Sequence, residues 1–535
     1  MDSSRNTTNI EDSENNNIKE IKDNSEDNKD SVDTETPIKD IKHLKKYIPE
    51  KLDSLTFSKY HFFIIATLGI SWILDGYEVS LLSVLSGVLK NVFKMTDSEI
   101  GLAGSIYLLG CVTGSLFFGF LAGKFGRKKL FSITLGIYVL SIIGTSLCIN
   151  KYMFFFCRFF TGISVGGEYS SIFAAIDELI PKSIRGRADL IIDGTWHFGS
   201  TIAALVSFLT LNYFSESQEL VIRFLFVIGV IMAFPVIYMR RNIPESPRWL
   251  LYRGRYQEAL TIADDIVTKC KNKYFNSYDI YKGGNSNCEK KNLIPRIFKG
   301  DDNIQNEKIE EIKFKEIFDI LLYKERIRFF YGLILMASQA FFYNGIFYTY
   351  TLVLQTFYHI SKETVGLFLI PLSVASFLGP LVLGKFFDSW SRRRMIALTF
   401  SLSGILLIIT AVNFITNSLS FVFQQILWFI TFFVASPAAS SAHLTISEIF
   451  PIEMRSQAMA IFFSFGLGIG GVISPFLYGN FVQTDNKSTI FFSYILAAII
   501  MIFASIFGYL YGVDSENKSL EQIAENIKDR KSENY

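Results

Sequence analysis

Twelve apolar runs, each about twenty residues long, constrain this chain more than any other feature. They fall at roughly 60–83, 101–123, 129–149, 154–176, 188–211, 221–240, 328–352, 364–387, 395–415, 421–444, 457–482 and 489–512. A run of that length crosses the hydrocarbon core of a bilayer as a helix, because every backbone N–H and C=O must there be satisfied within the segment. The expected fold class is therefore an all-α membrane protein with twelve transmembrane helices. The runs at 154–176 and 421–444 are the weakest, since polar residues crowd their ends. Charge is scarce at 19% of 535 residues, with a net of +2, where a soluble chain carries about 25%.

Several function classes are excluded at this level. A nucleic-acid-binding protein needs a basic face, and none is concentrated here. Five cysteines cannot make a disulfide scaffold, and Cys111, Cys148 and Cys157 lie inside apolar runs, where a thiol behaves as a small hydrophobe. No Walker loop, H-E-x-x-H or G-x-S-x-G is present, so ATP drive and the common hydrolases lack support; no cofactor or metal site is expected.

An even number of spans puts both termini on one side, and Lys and Arg choose the side. Twelve of them, including Lys124, Arg127, Lys182, Arg187, Arg393 and Arg455, fall in loops on the terminal side, against six at the opposite ends. Both termini are expected in the cytoplasm, at the plasma membrane or an organelle membrane. The first apolar run starts near residue 60, so no secretory leader is expected. Residues 1–58 read as a polar, disordered tail and 59–240 as the first six-helix bundle. Residues 241–326 form a linker, with a helical basic piece from Arg248 to Lys271, a loose middle, and an amphipathic helix over Glu307–Tyr323. A second bundle fills 327–512, and 513–535 forms a short tail.

The two bundles repeat each other. Glu178-Leu-Ile-Pro181-Lys-Ser-Ile-Arg185 follows the fourth span and Glu448-Ile-Phe-Pro451-Ile-Glu-Met-Arg455 the tenth, 270 residues on. A glycine-rich stretch ending in Arg127 closes the second span, and a similar one through Asp388 and Arg392 closes the eighth. Matched punctuation implies a pseudo-two-fold axis along the membrane normal. A single basic cluster would be a topology anchor; four at matched positions suggest charge clamps that form and break as the halves rock. Arg127, Glu178, Arg185, Asp388, Arg392, Glu448 and Arg455 are the gating candidates.

These motifs resemble the major facilitator superfamily, in its sugar-porter and metabolite–proton symporter branch. So do Arg158-Phe-Phe-Thr-Gly162 running to Glu168, Pro244-Glu245-Ser246-Pro247-Arg248, and Lys518-Ser519-Leu520-Glu521. The likeness spans about residues 59–523. It implies two six-helix bundles, a central cavity and alternating access. One departure is Gly123, where the family usually has Asp, so the gating pairs should be asymmetric.

Ionisable residues inside spans are functional candidates by default. The first span carries Asp75 and Glu78, the fourth Arg158 and Glu168, the fifth Asp193 and His197, and the tenth His443. Counting about 1.5 Å per residue along each helix places Arg158 a little above Glu78, so that it can meet Glu78 or Asp75 in the outer half, with Glu168 nearer the middle. The family likeness implies a switchable Glu78–Arg158 pair, and an acid at the Glu168 position occurs in related phosphate porters. A carboxylate that gains or loses a neighbouring Arg in low dielectric changes its proton affinity. Asp75, Glu78, Arg158 and Glu168 are thus proton-coupling candidates; a fixed ion pair packing the helices is the alternative. Asp193 and His197, at i and i+4, could share a proton or bind an anion, or form a satisfied polar pair.

In the seventh span, Gln339, Tyr343, Asn344 and Tyr348 resemble the residues with which sugar porters bind hydroxyls; interhelical hydrogen bonding is the other reading. Other sugar-site positions differ: Asp193 stands where the family has Gln, and His443 where it has Trp. That favours an acid-bearing metabolite, such as a vitamin acid like pantothenate, over a hexose. The substrate candidates are Gln339, Tyr343, Asn344, Tyr348, Asp193, His197 and His443. The expected function is a proton-coupled transporter of a small molecule, acting as a monomer in the bilayer, with no nucleic-acid partner. A facilitative sugar carrier and a nutrient sensor on the same fold are the competing readings.

Overall fold

Short polar turns decide where the apolar runs begin to coil. Ser58, Thr96, Asn150, Ser391, Ser420 and Asn486 each cap a helix start by accepting a backbone N–H, and at Thr96 a capping box with Glu99 completes the turn. The computed structural model describes residues 41–214, 217–270, 322–323, 325–450 and 455–512. Helix α1 (Ile41–Asp53) precedes the first span, α2 (Lys59–Val84). A short α3 (Ser86–Phe93) leads to α4 (Asp97–Phe125), α5 (Arg127–Ser146), α6 (Lys151–Leu179), α7 (Arg185–Tyr213) and α8 (Gln218–Arg240). The linker contributes α9 (Pro247–Tyr252) and α10 (Tyr256–Lys269). The second half holds α11 (Arg326–Tyr358), α12 (Val365–Ser389), α13 (Arg392–Thr416) and α14 (Phe421–Ile449). The eleventh span is α15 (Arg455–Gly466), a π-helical turn at Leu467–Val472 and α16 (Ile473–Gln483); α17 (Lys487–Tyr511) follows. No strand occurs among the described residues.

Ten of the twelve long passes are apolar enough to cross a membrane by composition alone. The other two, α6 and α7, are each 29 residues long. They carry Arg158, Glu168 and Glu178, and Arg185, Arg187, Asp189 and Asp193, which lower their hydropathy. The run at 421–444 meets the criterion within α14, so the weak spans are the fourth, as expected, and the fifth, which was not.

The sequence repeat is also a packing repeat. In the first half α2 packs on α7, α4 on α6, and α5 on α6 and α8; in the second, α11 packs on the eleventh span, α12 on α14, and α13 on α14 and α17. Glycines let the helices approach. Methyl groups at Gly110 and Gly114 of α4 would lie 2.2 and 2.0 Å from carbonyls of α6, and methyls at Gly162 and Gly166 of α6 would lie 2.0 Å from carbonyls of α4. Small residues at such contacts are how helices associate in lipid, where no hydrophobic drive exists between them. The two halves meet along α7 with α12, and along α4 with α15 and α16. Large apolar side chains point outward, among them Phe62, Leu140, Phe234, Phe492 and Leu510. Charged ones such as Glu78, Arg158 and Arg185 are fully buried. That inversion belongs to a protein whose outer solvent is lipid. The chain is a multi-pass membrane protein.

The linker end departs from expectation. Residues 1–40 and 271–321 lie outside the described residues, as do the loose linker middle and nearly all of the amphipathic helix expected at Glu307–Tyr323. Residues 41–58, expected to be disordered tail, are instead ordered: α1 forms there and buries Leu44, Ile48, Leu52 and Leu55 against the body of the protein. Leu44, Ile48 and Leu52, four residues apart along α1, with Leu55 just beyond it, supply a buried face that the polar character of the preceding forty residues hides. The helical piece expected at Arg248–Lys271 is two helices, α9 and α10, broken at Arg253 and Gly254, the latter with φ of 71°.

Candidate functional site

The ionisable residues of the spans are gathered in the interior, and the four carboxylates among them each meet a partner on another helix. Arg158 of α6 makes an ion pair with Glu78 of α2, and both are fully buried. The guanidinium also lies 5.4 and 5.3 Å from the ring centroids of Phe154 and Phe226, which meet each other edge to face beside it, within cation–π reach of both. Asp75, one turn earlier on α2, does not join that pair. Its carboxylate accepts from the Tyr107 hydroxyl at 3.1 Å and the Trp196 indole N–H at 3.0 Å. Gly76 makes the second contact possible: a methyl there would lie 1.9 Å from the Trp196 carbonyl, so only glycine lets α7 come this near.

Glu168 has a partner that no motif announced. Arg240, the last residue of α8, donates to its two carboxylate oxygens at 2.8 and 2.5 Å, and also to Ser71 and the Phe131 carbonyl. Thr134 donates to the same carboxylate at 3.1 Å. Asp75, Glu168 and Arg240 line one small, partly open pocket of about 10 Å³ with Ser71, Trp72 and Tyr138. That is the space of a single water molecule. A wider groove of about 360 Å³ opens on the other side of Arg240, between α5 and α8.

Asp193 and His197 share α7 but serve different neighbours, so the proton sharing considered between them is not seen. Asp193 accepts from Ser440 of α14, and its carboxylate lies 3.9 Å from Nδ1 of His443, outside hydrogen-bond reach. His197 turns its ring to Tyr343 of α11, with centroids 5.6 Å apart. The α11 candidates divide similarly. Tyr343 donates to Ser376 at 3.1 Å. Asn344 donates to the Ala340 carbonyl at 2.9 Å and stands against the π-helical turn of the eleventh span, where its amide nitrogen is 3.2 Å from the methyl position of Gly471. Gln339 is buried one turn before Tyr343. Tyr348 is buried against Gly104 of α4, in the seam between the halves.

The gating candidates of the first half form a network with the linker. Arg127 pairs with Glu178 at 2.7 Å, both buried. Arg185 pairs with Asp53 at 2.9 Å, and Arg248 reaches the same carboxylate oxygen at 2.8 Å. Glu245 accepts the backbone N–H groups of Arg127 and Lys128, filling the start of α5. At Gly123, the departure from the family pattern, the backbone carbonyl accepts from Trp249 and Arg253 of the linker. Arg392 is buried at the start of α13. The side chains of Asp388, Glu448 and Arg455 lie outside the described residues.

Residues 62–527 match the family model described as "Sugar (and other) transporter". The chain belongs to that family. Its fold is the major facilitator fold: a solved structure of the proton:xylose symporter XylE superposes with a TM-score of 0.65 over 87% of this chain and 98% of that one, at 20% identity. Among curated relatives, the niacin transporter NiaP of Acinetobacter baylyi is 29% identical over 216 residues, which are 40% of this chain and 48% of that protein. The putative niacin/nicotinamide transporter NiaP of Bacillus subtilis is 27% identical over 35% of this chain and 45% of its own. The chain thus spans about half the length of the curated relatives it matches.

The residues that sequence reasoning passed over share a cause. Arg240 and Arg241 stand at the very end of the sixth span, where it passes into the linker, and not among the charges inside spans. Trp196 lies between two candidates on α7 without itself being charged, and Tyr107 is one Tyr among 25. Asp53 sits in a stretch read as tail. Each acquires its role from a helix distant in sequence. Depth counting had matched Glu78 with Arg158, but nothing in a linear motif pairs Arg240 with Glu168, 72 positions away.

Proposed function

We propose that this protein is a proton-coupled secondary transporter that moves a small organic acid across the membrane by alternating access between its two halves. The observation that carries the reading is the fully buried Glu78–Arg158 pair, with Asp75 and Glu168 meeting around a water-sized pocket a short distance along the same helices. A buried carboxylate is tolerable while its Arg is near; when a rocking motion separates them, the isolated charge is costly and a proton replaces the cation. Arg158 is the cation of the pair, Glu78 the proton acceptor, and Asp75 and Glu168 the groups that pass the proton along.

The linker end faces the cytoplasm on this reading, with both termini there, at the plasma membrane. Arg127–Glu178 and Asp53 with Arg185 and Arg248 hold the first half and linker as one body, and Asp388, Arg392, Glu448 and Arg455 remain the gating candidates of the second by the sequence repeat. Gln339, Tyr343, Asn344 and Tyr348 on one wall, with Asp193, His197 and His443, meet the solute. The niacin names of two relatives support a small carboxylate. The protein acts as a monomeric carrier rather than an enzyme.

In proteoliposomes, uptake of such an acid is expected to rise with an inward proton gradient, and Glu78→Gln to abolish that rise while leaving exchange of internal for external solute intact. Uptake indifferent to the gradient would favour the second reading, a facilitative sugar carrier, which the family description and the XylE fold support.

A further inference from the structure

The seam between the halves is closed by rings that meet in pairs, one from each half. Tyr169 of α6 lies 4.2 Å from Phe463 of α15, with planes 31° apart. Phe173 of α6 lies 5.1 Å from the His443 imidazole of α14, at 36°. On α7, Trp196 meets Phe347 of α11 at 5.1 Å, edge to face, and His197 meets Tyr343 at 5.6 Å, at 41°. The last three separations fall where π systems attract beyond simple burial, and the first pair is closer still. The halves cannot part at this level without unstacking every pair. Once parted, they present aromatic faces on both walls of a slot.

Polar groups stand beside the rings. Both nitrogens of His443 and Nδ1 of His197 are buried without a hydrogen-bond partner among the described residues. Asp193 lies on the Nδ1 side of His443 at 3.9 Å, leaving Nε2 to serve another acceptor. Buried polar atoms without partners carry a desolvation penalty that a ligand bearing the matching group would relieve.

We infer that the solute is a planar aromatic or heteroaromatic carboxylate, whose ring slides between the walls and takes over the stacks that close the seam, and whose carboxylate accepts from His443. This rests on the reading of the seam as the solute site. A saturated ring of the same size is puckered and has no π face to offer. A sugar would ask for many hydroxyl partners where these walls offer rings.

The test compares benzoate with cyclohexanecarboxylate, equal in charge and close in size, and adds nicotinate and xylose. Binding to the purified full-length protein is read by calorimetry and tryptophan fluorescence. Benzoate and nicotinate are expected to bind about tenfold more tightly than cyclohexanecarboxylate. Phe463→Leu is expected to erase most of that ratio by weakening benzoate and nicotinate while leaving cyclohexanecarboxylate binding in place, whereas His443→Gln weakens all three acids alike. Equal binding of benzoate and cyclohexanecarboxylate would overturn the aromatic claim and leave the organic-acid reading standing. Binding of xylose and none of the acids would overturn both, as would no binding of any of the four.

Discussion

Replacing Arg240 by Leu isolates the Glu168 carboxylate. In the intact protein Arg240 gives that carboxylate two hydrogen bonds, at 2.8 and 2.5 Å, and spends its other donors on Ser71 and the Phe131 carbonyl. Both residues are more than nine-tenths buried or close to it, at 7% and 9% exposure. After the change only Thr134, at 3.1 Å, still donates to Glu168. Breaking a buried pair by removing one partner costs about 3–5 kcal/mol, because the surviving charge has neither water nor counter-ion. Removing both charges costs far less, since an apolar pair of similar volume is often neutral or better. Glu168→Leu combined with Arg240→Leu should therefore recover stability to within about 1 kcal/mol of the parent. The assay is denaturant unfolding of the purified protein in detergent, comparing both single variants and the double. The coupling between the two changes should be at least about 2 kcal/mol. A double variant whose loss equals the sum of the single losses would refute the reasoning, because the two residues would then act independently.

Two further outcomes follow from geometry. Gly166→Leu places its first side-chain carbon 2.0 Å from the Cys111 carbonyl, so α4 and α6 must separate; a loss of about 3 kcal/mol, the upper end for overpacking, is expected, read as a collapse in the yield of monodisperse protein. At the linker end, burial disfavours the Lys51 ammonium, but the hydrogen bond and charge of Asp264 at 2.8 Å outweigh it and hold the lysine above its ordinary range. A raised folded-state value means the contribution is complete below the ordinary lysine range and fades as pH climbs through the raised one. The contact of α1 with α10 should hold at neutral pH and loosen above roughly pH 10, seen as faster subtilisin cleavage between residues 40 and 58; in Lys51→Met that alkaline step should vanish.

How much was legible depended on whether a signal was local. Span positions, the two-half repeat and the Glu78–Arg158 match could be read from hydropathy, matched loops and residue counting along helices. Where local polarity misled, the reason is specific. The fifth span looked ordinary because its charges cluster in the first turns of α7, and α1 was lost in a polar tail because Leu44, Ile48 and Leu52 mark its buried face among mostly polar neighbours. Asp193 and His197 looked like a pair because they are four apart, but helical neighbours on one face can each turn toward a different helix.

By itself the sequence determined that this chain lives in a membrane as two related helical bundles, since each run must satisfy its own backbone within one segment of chain. It also determined which few charges would have to be buried. Only the tertiary structure decided whom those charges meet: Arg240 with Glu168, Trp196 with Asp75, and rings of one half against rings of the other. The physical reason is that in lipid the pairing of polar groups is set by which helices glycines allow to touch, and that is a property of two distant segments at once.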